Sequence, residues 1–453
     1  MGVMPVGKLL FNMAMPMIAA MLVQAFYNVV DSYFVSRISD DAAIRESAIA
    51  AMSLAFAVQN ILIGFAVGIG VGVNALLSKS LGEGNHEKAN FTAGNGLTLA
   101  VIATAIFMVF GVVGSRPYFS MMSASSLTVE FGTQYISICC LLCLGVFVEI
   151  LGERLLQASG RTMYTMVTQG VGAITNIIMD PLLIFGIGPF PQMGIAGAAV
   201  ATVTGQWVAA ILAVIFNLKF NPDVKFGLRY FKLRKDVVGP VLTVGIPAVV
   251  MNSIGSVMNI GINKILQGFT QYGEVPVNVF GIYFKLQSFF FMPLFGMNNA
   301  TISIVAFNYG ARKPERITKT LKIACISALS FMLVGVAIFQ IFPHALLGIF
   351  DTSPEFLSMG QRALRTISLC FPFAAVCIAL GASFQALGNG IYSTIVSLFR
   401  QLVVLLPAAY LLSLTGQVNA VWWAFPIAEM MSLTTTAILF VRIYRQKLRP
   451  LLK

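Results

Sequence analysis

The sequence predicts an all-α polytopic membrane protein whose twelve transmembrane helices form two pseudo-symmetric lobes of six. Its composition, the length of its apolar runs and an internal repeat support this prediction. Of the 453 residues, 58% are apolar and only 10% are charged, and the mean hydropathy is +0.86. Average soluble domains carry about 25% charged residues, so this chain lacks the polar surface that a soluble protein needs. The same apolar content excludes a disordered chain.

The apolar runs are long enough to cross a bilayer, since a transmembrane helix needs about 20 predominantly apolar residues. No alternating strand pattern recurs along the sequence, which argues against a barrel. We expect the twelve spans at 9–35, 47–77, 91–114, 129–155, 163–187, 194–217, 237–268, 276–308, 320–342, 359–386, 392–414 and 419–441.

The positive charges lie mainly on one side of these spans. With the N-terminus inside, 21 of the 29 Lys and Arg residues fall in inner segments. The positive-inside rule therefore predicts that both termini are cytoplasmic. The net charge of +12 follows from this asymmetry and does not indicate binding to nucleic acid.

The two halves of the sequence resemble each other. Q-A-S-G-R-T-M-Y from Gln157 and Q-A-L-G-N-G-I-Y from Gln385 share four of eight residues at a shift of 228 positions. Pro16 in the first span pairs with Pro247 in the seventh at nearly the same shift. Because each half has an even number of spans, the copies have the same orientation, and a binding cavity is expected between them.

The repeat divides the chain into an N-terminal lobe over 1–217 and a C-terminal lobe over 237–453, joined by a basic cytoplasmic linker over 218–236. We expect the linker to be a solvated loop of the positive-inside kind. A contact with anionic lipid is the alternative.

Ionisable side chains inside spans are costly, so each is a functional candidate. Asn176 and Asp180 are four residues apart in the fifth span and share a helix face. Pro181 removes a backbone donor and is expected to bend the helix there, and we assign the same helix-bending role to Pro16 and Pro247.

Further polar residues extend this set in the first half. Glu149 and Glu153 are four residues apart in the fourth span. The charged form of a buried carboxylate is disfavoured, so such groups can exchange a proton or hold Na⁺. For Glu153, pairing with Arg154 or Arg161 is an open alternative. The first span places polar side chains at helical spacing at Gln24, Tyr27, Asn28 and Asp31.

The second half differs in charge, because its spans contain mainly bases. Lys285, Arg400 and Glu429 lie within its apolar runs. Substrate contact and a static buried ion network are both open interpretations of these three residues. Acid thus dominates the first half and base the second.

These motifs make the whole chain resemble the multidrug and toxic compound extrusion (MATE) transporters, in the branch of MepA-like efflux proteins. The resemblance is carried by Pro16, Asp31, Q-A-S-G-R-T from Gln157, N-I-I-M-D-P-L from Asn176 and G-I-A-G-A-A-V-A-T from Gly194. It implies a MATE-like fold with a central cavity, a monomer in the bacterial cytoplasmic membrane, and no enzymatic activity. It also implies export of amphipathic, often cationic drugs in exchange for H⁺ or Na⁺, with no cofactor besides the coupling ion.

The resemblance further implies a coupling site in the first lobe, at Asp31, Glu153, Asn176, Asp180 and Thr202. Na⁺ would be held by Asp31, Asn176, Asp180 and Thr202, and we add Glu149 as a further coupling residue. Relatives usually have Asn where Glu153 stands, which leaves the ion open. A substrate cavity is expected to include Gln24, Tyr27, Asn28, Lys285, Arg400 and Glu429.

We therefore predict a secondary antiporter in which ion and drug favour different states of the protein. The sequence has no phosphate-binding G-x-x-x-x-G-K-[ST] motif, which argues against an ATP-driven pump. A flippase or exporter of a lipid-linked or other specific metabolite is the alternative, favoured by Lys264, Lys285 and Arg400. An intramembrane enzyme is not expected, because no predicted span contains His.

Overall fold

The computed structural model describes residues 1–35, 38, 41–123, 125–350 and 352–451. Within these ranges it describes every side chain except those at 27–29, 31–33, 35, 42 and 45. All regular structure in the described ranges is helical, with eighteen α-helices, short π- and 3₁₀-helical segments, and no strand.

The helices are named α1 to α18 in chain order. Their bounds are α1 Val6–Val35, α2 Ala42–Gly82, α3 His86–Val109, α4 Ser115–Met122, α5 Ser126–Leu141, α6 Leu144–Ala158, α7 Thr162–Phe185, α8 Ile195–Phe220, α9 Lys235–Gln267, α10 Val275–Gly310, α11 Pro314–Ile341, α12 Pro343–Gly348, α13 Pro354–Ser368, α14 Phe371–Ala386, α15 Gly390–Leu398, α16 Leu406–Ser413, α17 Val418–Val421 and α18 Ala424–Ile443.

The helices provide enough apolar length for the predicted spans. In the described ranges, ten helical stretches are long and apolar enough to cross a membrane, and two bent helix pairs raise the number to twelve. Some extend well beyond a bilayer: α2 has 41 residues and at 1.5 Å per residue is about 60 Å long. The predicted all-α polytopic membrane fold is confirmed.

Two predicted spans are bent at corresponding places in the two halves. Helices α5 and α6 meet at 49°, and α13 and α14 meet at 44°. Cys143 and Cys370 lie in these breaks, each directly before the second helix of its pair. The sequence predicted both spans but not the bends: no proline interrupts 129–155, and Pro372, in the first turn of α14, was not recognised as a sign of the second bend.

The strongest sequence match between the halves encodes a turn that ends a helix. After α6, Gly160 has φ 78°, and after α14, Gly388 has φ 77°. The Gly160 N–H donates to the Gln157 carbonyl oxygen at 3.0 Å, and the Gly388 N–H to that of Gln385 at 3.1 Å. A glycine with positive φ is the usual residue after a helix C-terminus, so the repeated motif has a structural reason.

Contacts divide the chain into two compact units that do not coincide with its two halves. The first unit is Met15–Val249, and the second unit is Met1–Ala14 with Val250–Lys453. The boundaries lie close to Pro16 and Pro247, inside helices α1 and α9. Each of these helices therefore begins in one unit and ends in the other. The predicted lobes, 1–217 and 237–453, stay a prediction.

Contacts within each unit show why the start of α1 belongs to the second unit and the start of α9 to the first unit. In the second unit, Arg316 Nη2 donates to the carbonyl oxygens of Met1 at 2.9 Å and Met4 at 2.7 Å. In the first unit, α2 approaches the start of α9 so closely that a Cβ at Gly68 would lie 2.7 Å from the Gly245 carbonyl oxygen.

The linker between α8 and α9 is docked on α3, while most of its side chains from Leu228 to Asp236 stay exposed, as in the predicted solvated loop. Residues 221–234 are hydrogen-bonded to α3, for example through Asn95 and the carbonyl oxygen of Tyr230 at 3.0 Å. Polar side chains on α3 provide these contacts, and they were not visible as a docking surface in the sequence.

Replacing Gly388 by Ala is expected to lower the melting temperature, because an L-residue with positive φ costs about 1–2 kcal/mol. The control is Gly381→Ala. As at Gly388, nothing lies within 4 Å of a Cβ at this position, but Gly381 lies inside α14 without positive φ. Ala is the better helix former there. Thermal unfolding of the purified protein in detergent measures both. A Gly388→Ala melting temperature equal to that of the control would contradict the role of this turn.

Candidate functional site

A polar group in the first unit is built on α7 and α8. Asp180 is 0% exposed, and Asn176, one helical turn before it, is 3% exposed. Thr202 on α8 is 5% exposed. These three residues thus lie together inside the apolar interior of the first unit, as the sequence predicted.

The amide of Asn176 joins the other two residues. In the amide orientation that satisfies both ends, its nitrogen donates to Asp180 Oδ2 at 3.0 Å, and its oxygen accepts from the Thr202 backbone N–H at 3.0 Å. The same amide oxygen lies 3.4 Å from Thr202 Oγ1. The orientation is assigned from this network; it points the amide nitrogen at the Asp180 carboxylate and the amide oxygen at Thr202.

Close packing of α7 on α8 makes this group possible. A Cβ at Gly205 would lie 2.7 Å from the Gly172 carbonyl oxygen and 3.1 Å from Asn176 Cβ. Any larger residue at Gly205 would push the two helices apart. Gly205 thus holds Asn176 within reach of Thr202, although sequence reasoning did not single it out.

Pro181 directly follows the buried carboxylate. It has no N–H, so the carbonyl oxygen of Ile177, one turn earlier, lacks its usual helical partner. Helix α7 nonetheless continues through Pro181 to Phe185. Pro16 and Pro247 likewise lie inside continuous helices, so a bending role of the three prolines stays a prediction.

A second polar group in the first unit surrounds Glu153 on α6. Glu153 is 3% exposed, and its Oε1 accepts from Thr168 Oγ1 at 2.8 Å. Its Oε2 accepts from Gln169 Nε2 at 2.9 Å. Both carboxylate oxygens are therefore hydrogen-bonded to the first turns of α7.

The cations near Glu153 have other partners. Arg154 Nη1 donates to Gln157 Oε1 at 2.9 Å, and Arg161 forms an ion pair with Asp223 at 2.6 Å. Neither forms an ion pair with Glu153 in the described structure. Arg154 nevertheless acts electrostatically on Glu153, so pairing of Glu153 with a neighbouring Arg stays an open alternative.

The structure separates Glu153 from the Asp180 group. Its partner Thr168 precedes Asn176 by eight residues on α7, which is about 12 Å along the helix axis. Glu149 lies one turn from Glu153 on α6, is half-buried, and makes no hydrogen bond to a described residue. The described side chains thus form two groups within the first unit, and a single coupling site that includes both stays a prediction.

The predicted residues of the first span are only partly described. The backbone of α1 covers all of them, but the side chains of Tyr27, Asn28 and Asp31 lie outside the described residues. Gln24 is described and exposed. Whether Asp31 joins Asn176 and Asp180 stays a prediction.

In the second unit, the structure pairs two of the three predicted charges. Arg400 Nη1 lies 3.0 Å from Glu429 Oε1, with the side chains 24% and 11% exposed. Glu429 Oε2 is buried without a hydrogen-bond partner among the described residues. Lys285 is exposed on α10 and forms no ion pair in the described structure, so it is not part of this pair.

Sequence reasoning missed Thr168, Gln169, Gly172 and Gly205. The sequence did contain a signal for Thr168 and Gly172. They precede Asn176 and Asp180 at intervals of four residues, which places all four on successive turns of α7. Gln169 and Gly205 become recognisable only from the packing of α7 against α6 and α8.

Buried carboxylates in long apolar helices, together with ten to twelve potential spans in the described ranges, define a multi-pass membrane protein with ionisable groups inside its spans. No group of three or more His, Cys, Asp or Glu in the described ranges is arranged to hold a metal ion. The MatE family model matches residues 16–182 and 247–411, once in each half of the repeat. The chain belongs to the MatE family.

The chain is similar along its whole length to characterised transporters. It is 26% identical to the FAD transporter of Shewanella oneidensis, over 94% of this chain and 92% of that protein. It is 24% identical to the multidrug export protein MepA of Staphylococcus aureus, over 98% and 95% of the two chains.

Solved structures share the fold. A multidrug resistance MATE family transporter of the MOP superfamily in its outward-facing conformation has a TM-score of 0.90 and 25% identity, over 98% of this chain and 96% of that one. A MOP superfamily transporter from Pyrococcus furiosus, whose binding pocket of reverse polarity suggests a different function, has a TM-score of 0.89 and 24% identity, over 99% and 97%.

Replacing Thr168 by Val is expected to destabilise the protein, because a buried carboxylate oxygen loses its donor at a cost of about 1–3 kcal/mol. Thr175→Val on the same helix is the matched control, since the Thr175 hydroxyl donates only to the Val171 carbonyl oxygen of its own helix. Thermal unfolding in detergent compares the two. A loss no larger than that of Thr175→Val would show that the Thr168 hydrogen bond adds nothing.

Proposed function

We propose that the protein is a secondary efflux antiporter that exports amphipathic, often cationic compounds in exchange for H⁺ or Na⁺. It would act as a monomer in a bacterial cytoplasmic membrane, with both termini in the cytoplasm. Membership of the MatE family and similarity to MepA support efflux of this kind. The coupling ion is assigned to the first unit on chemical grounds.

The observation that carries the proposal is the burial of Asp180 with Asn176. A carboxylate without water is costly when charged, and the donor from Asn176 offsets part of that cost. A bound proton removes the charge, whereas Na⁺ balances it and prefers oxygen ligands. Asp180 supplies carboxylate oxygen for either ion. Thr202 Oγ1 and the Asn176 amide oxygen, which faces Thr202, are the neighbouring oxygens, with Asp31 as the further ligand we propose.

Coupling requires only that ion and drug favour different states of the protein. Neutralising Asp180 changes the free energy of the helix segment next to Pro181, where one backbone hydrogen bond is absent. We infer that the prolines Pro16, Pro181 and Pro247 localise the resulting change in helix shape. Ion and drug need not touch each other.

Glu153 and Glu149 form the second ionisable group of the proposal. Glu153 is fixed by two donors, whereas Glu149 has no hydrogen-bond partner among the described residues. Two carboxylates one turn apart disfavour simultaneous ionisation, so one proton shared between them is the favoured state. This group would respond to the pH gradient separately from Asp180.

The charge of the second unit favours a second candidate function, the export or flipping of an anionic metabolite. Within its spans, Lys264, Lys285 and Arg400 are balanced by Glu429 alone among the described residues. Similarity to the FAD transporter of Shewanella oneidensis is consistent with this alternative. Gln24, Tyr27, Asn28, Lys285, Arg400 and Glu429 stay our candidates for substrate contact.

Proteoliposomes distinguish these functions. Ethidium serves as the cationic probe and FAD as the anionic probe, each under separately imposed Na⁺ and pH gradients. Ethidium transport driven by one of the gradients would support the antiporter and identify its ion. Transport of FAD alone would replace the proposal by its alternative.

Asp180→Asn is expected to abolish gradient-driven ethidium transport, because Asn has the same shape but no charge for an ion to neutralise. The control is Glu83→Gln, which removes an exposed carboxylate at the end of α2 that pairs with Lys79 at 3.6 Å. Transport is measured per folded protein in proteoliposomes. Unimpaired transport by Asp180→Asn would remove this residue from the proposed site.

Glu153→Gln is expected to change the ion dependence of transport rather than abolish it, since Gln keeps an acceptor for Thr168 but cannot exchange a proton. Transport rates are compared between a pH gradient and a Na⁺ gradient over a range of pH. A pH profile identical to that of the wild type would exclude Glu153 from coupling. Gln169→Ala, which removes a donor but no titratable group, serves as its structural control.

A further inference from the structure

The segment between α8 and α9 is fixed to α3 by a network of side-chain hydrogen bonds. Asn95 Nδ2 donates to the carbonyl oxygens of Tyr230 and Lys232, both at 3.0 Å. Its Oδ1 accepts from the backbone N–H of Arg234 at 2.8 Å, and the guanidinium of Arg234 lies 4.5 Å from the ring centroid of Phe91. The backbone of this segment is therefore held in one place.

Two further hydrogen bonds show that the segment runs along α3. Asn90 Oδ1 accepts from the Lys225 N–H at 2.7 Å, and Thr98 Oγ1 donates to the Phe231 carbonyl oxygen at 2.8 Å. Asn90 and Thr98 are eight residues apart, which corresponds to about 12 Å of helix. The segment covers the polar part of α3.

The apolar surface of α3 begins after Thr98, which is hydrogen-bonded to Phe231 of the segment. The sequence of α3 is polar up to Thr98 and then reads L-A-V-I-A-T-A-I-F-M-V. Val101 is 55% exposed and Ile106 is 63% exposed, as expected for side chains that face lipid in a transmembrane helix. Phe231, bonded to Thr98, therefore lies at the level where the protein surface changes from polar to apolar.

The docked segment presents apolar side chains outward at this level. Leu228 is 93% exposed, Leu233 is 47% exposed and Phe231 is 37% exposed. Basic residues alternate with them in the sequence L-R-Y-F-K-L-R-K from Leu228. Apolar and basic side chains on one element are typical of segments at a membrane interface.

Three acidic side chains lie next to this segment, and one of them, Glu87 at the start of α3, acts electrostatically on Arg229 and Arg234 without an ion pair in the described structure. Asp223 pairs with Arg161 at 2.6 Å, and Asp236 pairs with Arg234 at 2.9 Å. Three exposed lysines form no ion pair in the described part of the chain: Lys225, Lys232 and Lys235.

We propose that this docked segment, residues 225–235, binds anionic phospholipid of the leaflet next to it. Lys225, Lys232 and Lys235 contact the phosphate headgroups, and Leu228 and Leu233 insert between the acyl chains near the headgroups. The lipid supplies negative charge to the three lysines, which have no ion-pair partner among the described residues.

The physical argument combines charge, apolar contact and rigidity. Each Lys or Arg near an anionic bilayer strengthens binding to it, and apolar side chains at the interface add to this. The hydrogen bonds from Asn95 fix the backbone before lipid binds, which avoids the entropic cost of ordering a flexible loop. A flexible loop would have to become ordered on binding and would carry that cost.

The test measures lipid binding directly and does not depend on transport. The purified full-length protein in non-ionic detergent is titrated with phosphatidylglycerol or phosphatidylcholine in mixed micelles, and retained lipid is counted by native mass spectrometry. The wild type is expected to retain phosphatidylglycerol preferentially. The triple variant Lys225→Gln, Lys232→Gln and Lys235→Gln is expected to lose about 10- to 100-fold in apparent affinity for that lipid.

A matched triple variant controls for net charge. Lys319→Gln, Lys322→Gln and Arg445→Gln also remove three exposed basic residues, from the second unit, and should leave phosphatidylglycerol retention near the wild-type value. Leu228→Ser keeps every charge and should weaken retention of both lipids alike. If the linker triple does not fold, Lys232→Gln and Lys319→Gln repeat the comparison as single substitutions.

Two results would overturn the proposal. One is equal retention of phosphatidylglycerol and phosphatidylcholine by the wild type. The other is a loss of phosphatidylglycerol retention in the control variant as large as that in the linker variant, because general electrostatic attraction would then explain the binding.

Discussion

The hydrogen bond from Asn176 to Asp180 is the interaction on which the proposed chemistry of the first unit depends. It fixes a carboxylate that is 0% exposed inside helices whose other side chains are mostly apolar. Helices α7 and α8 can hold this group only because Gly172 and Gly205 allow close approach. The ionisation of one side chain is thereby connected to the packing of two helices, which is what an ion-coupled transporter requires.

The two units handle internal charge in different ways. In the first unit, Glu153 is stabilised by neutral donors from α7, and the nearby Arg154 is bound to Gln157. In the second unit, Glu429 is bound to the guanidinium of Arg400. A carboxylate with neutral donors can accept an external cation, whereas one with its own cation already has its charge compensated. The first unit thus has a buried carboxylate that an external cation can bind, whereas the buried carboxylate of the second unit is already bound to an arginine.

Much of the fold could be predicted because hydrocarbon imposes a length and a composition on every helix. The twelve spans and the Asn176–Asp180 pair follow from such local patterns. The bend after Leu141 and the docking of 221–234 onto α3 have no local signal in the sequence, whereas Pro372 in the first turn of α14 marks the bend after Ser368. Helical spacing places Glu153 on a face of α6 but does not say which turn of α7 it meets.

The exchange of helix segments between the units has a consequence for how the chain can be divided. A cut within 221–234 would give two fragments that follow the sequence repeat, but neither would contain a complete compact unit. The N-terminal fragment would keep Met1–Ala14, which packs with the second unit, and would lack the start of α9, which packs with the first. We therefore expect the two halves of the repeat to fold together. Co-expressed fragments could complete either unit only by exchanging these two helix segments.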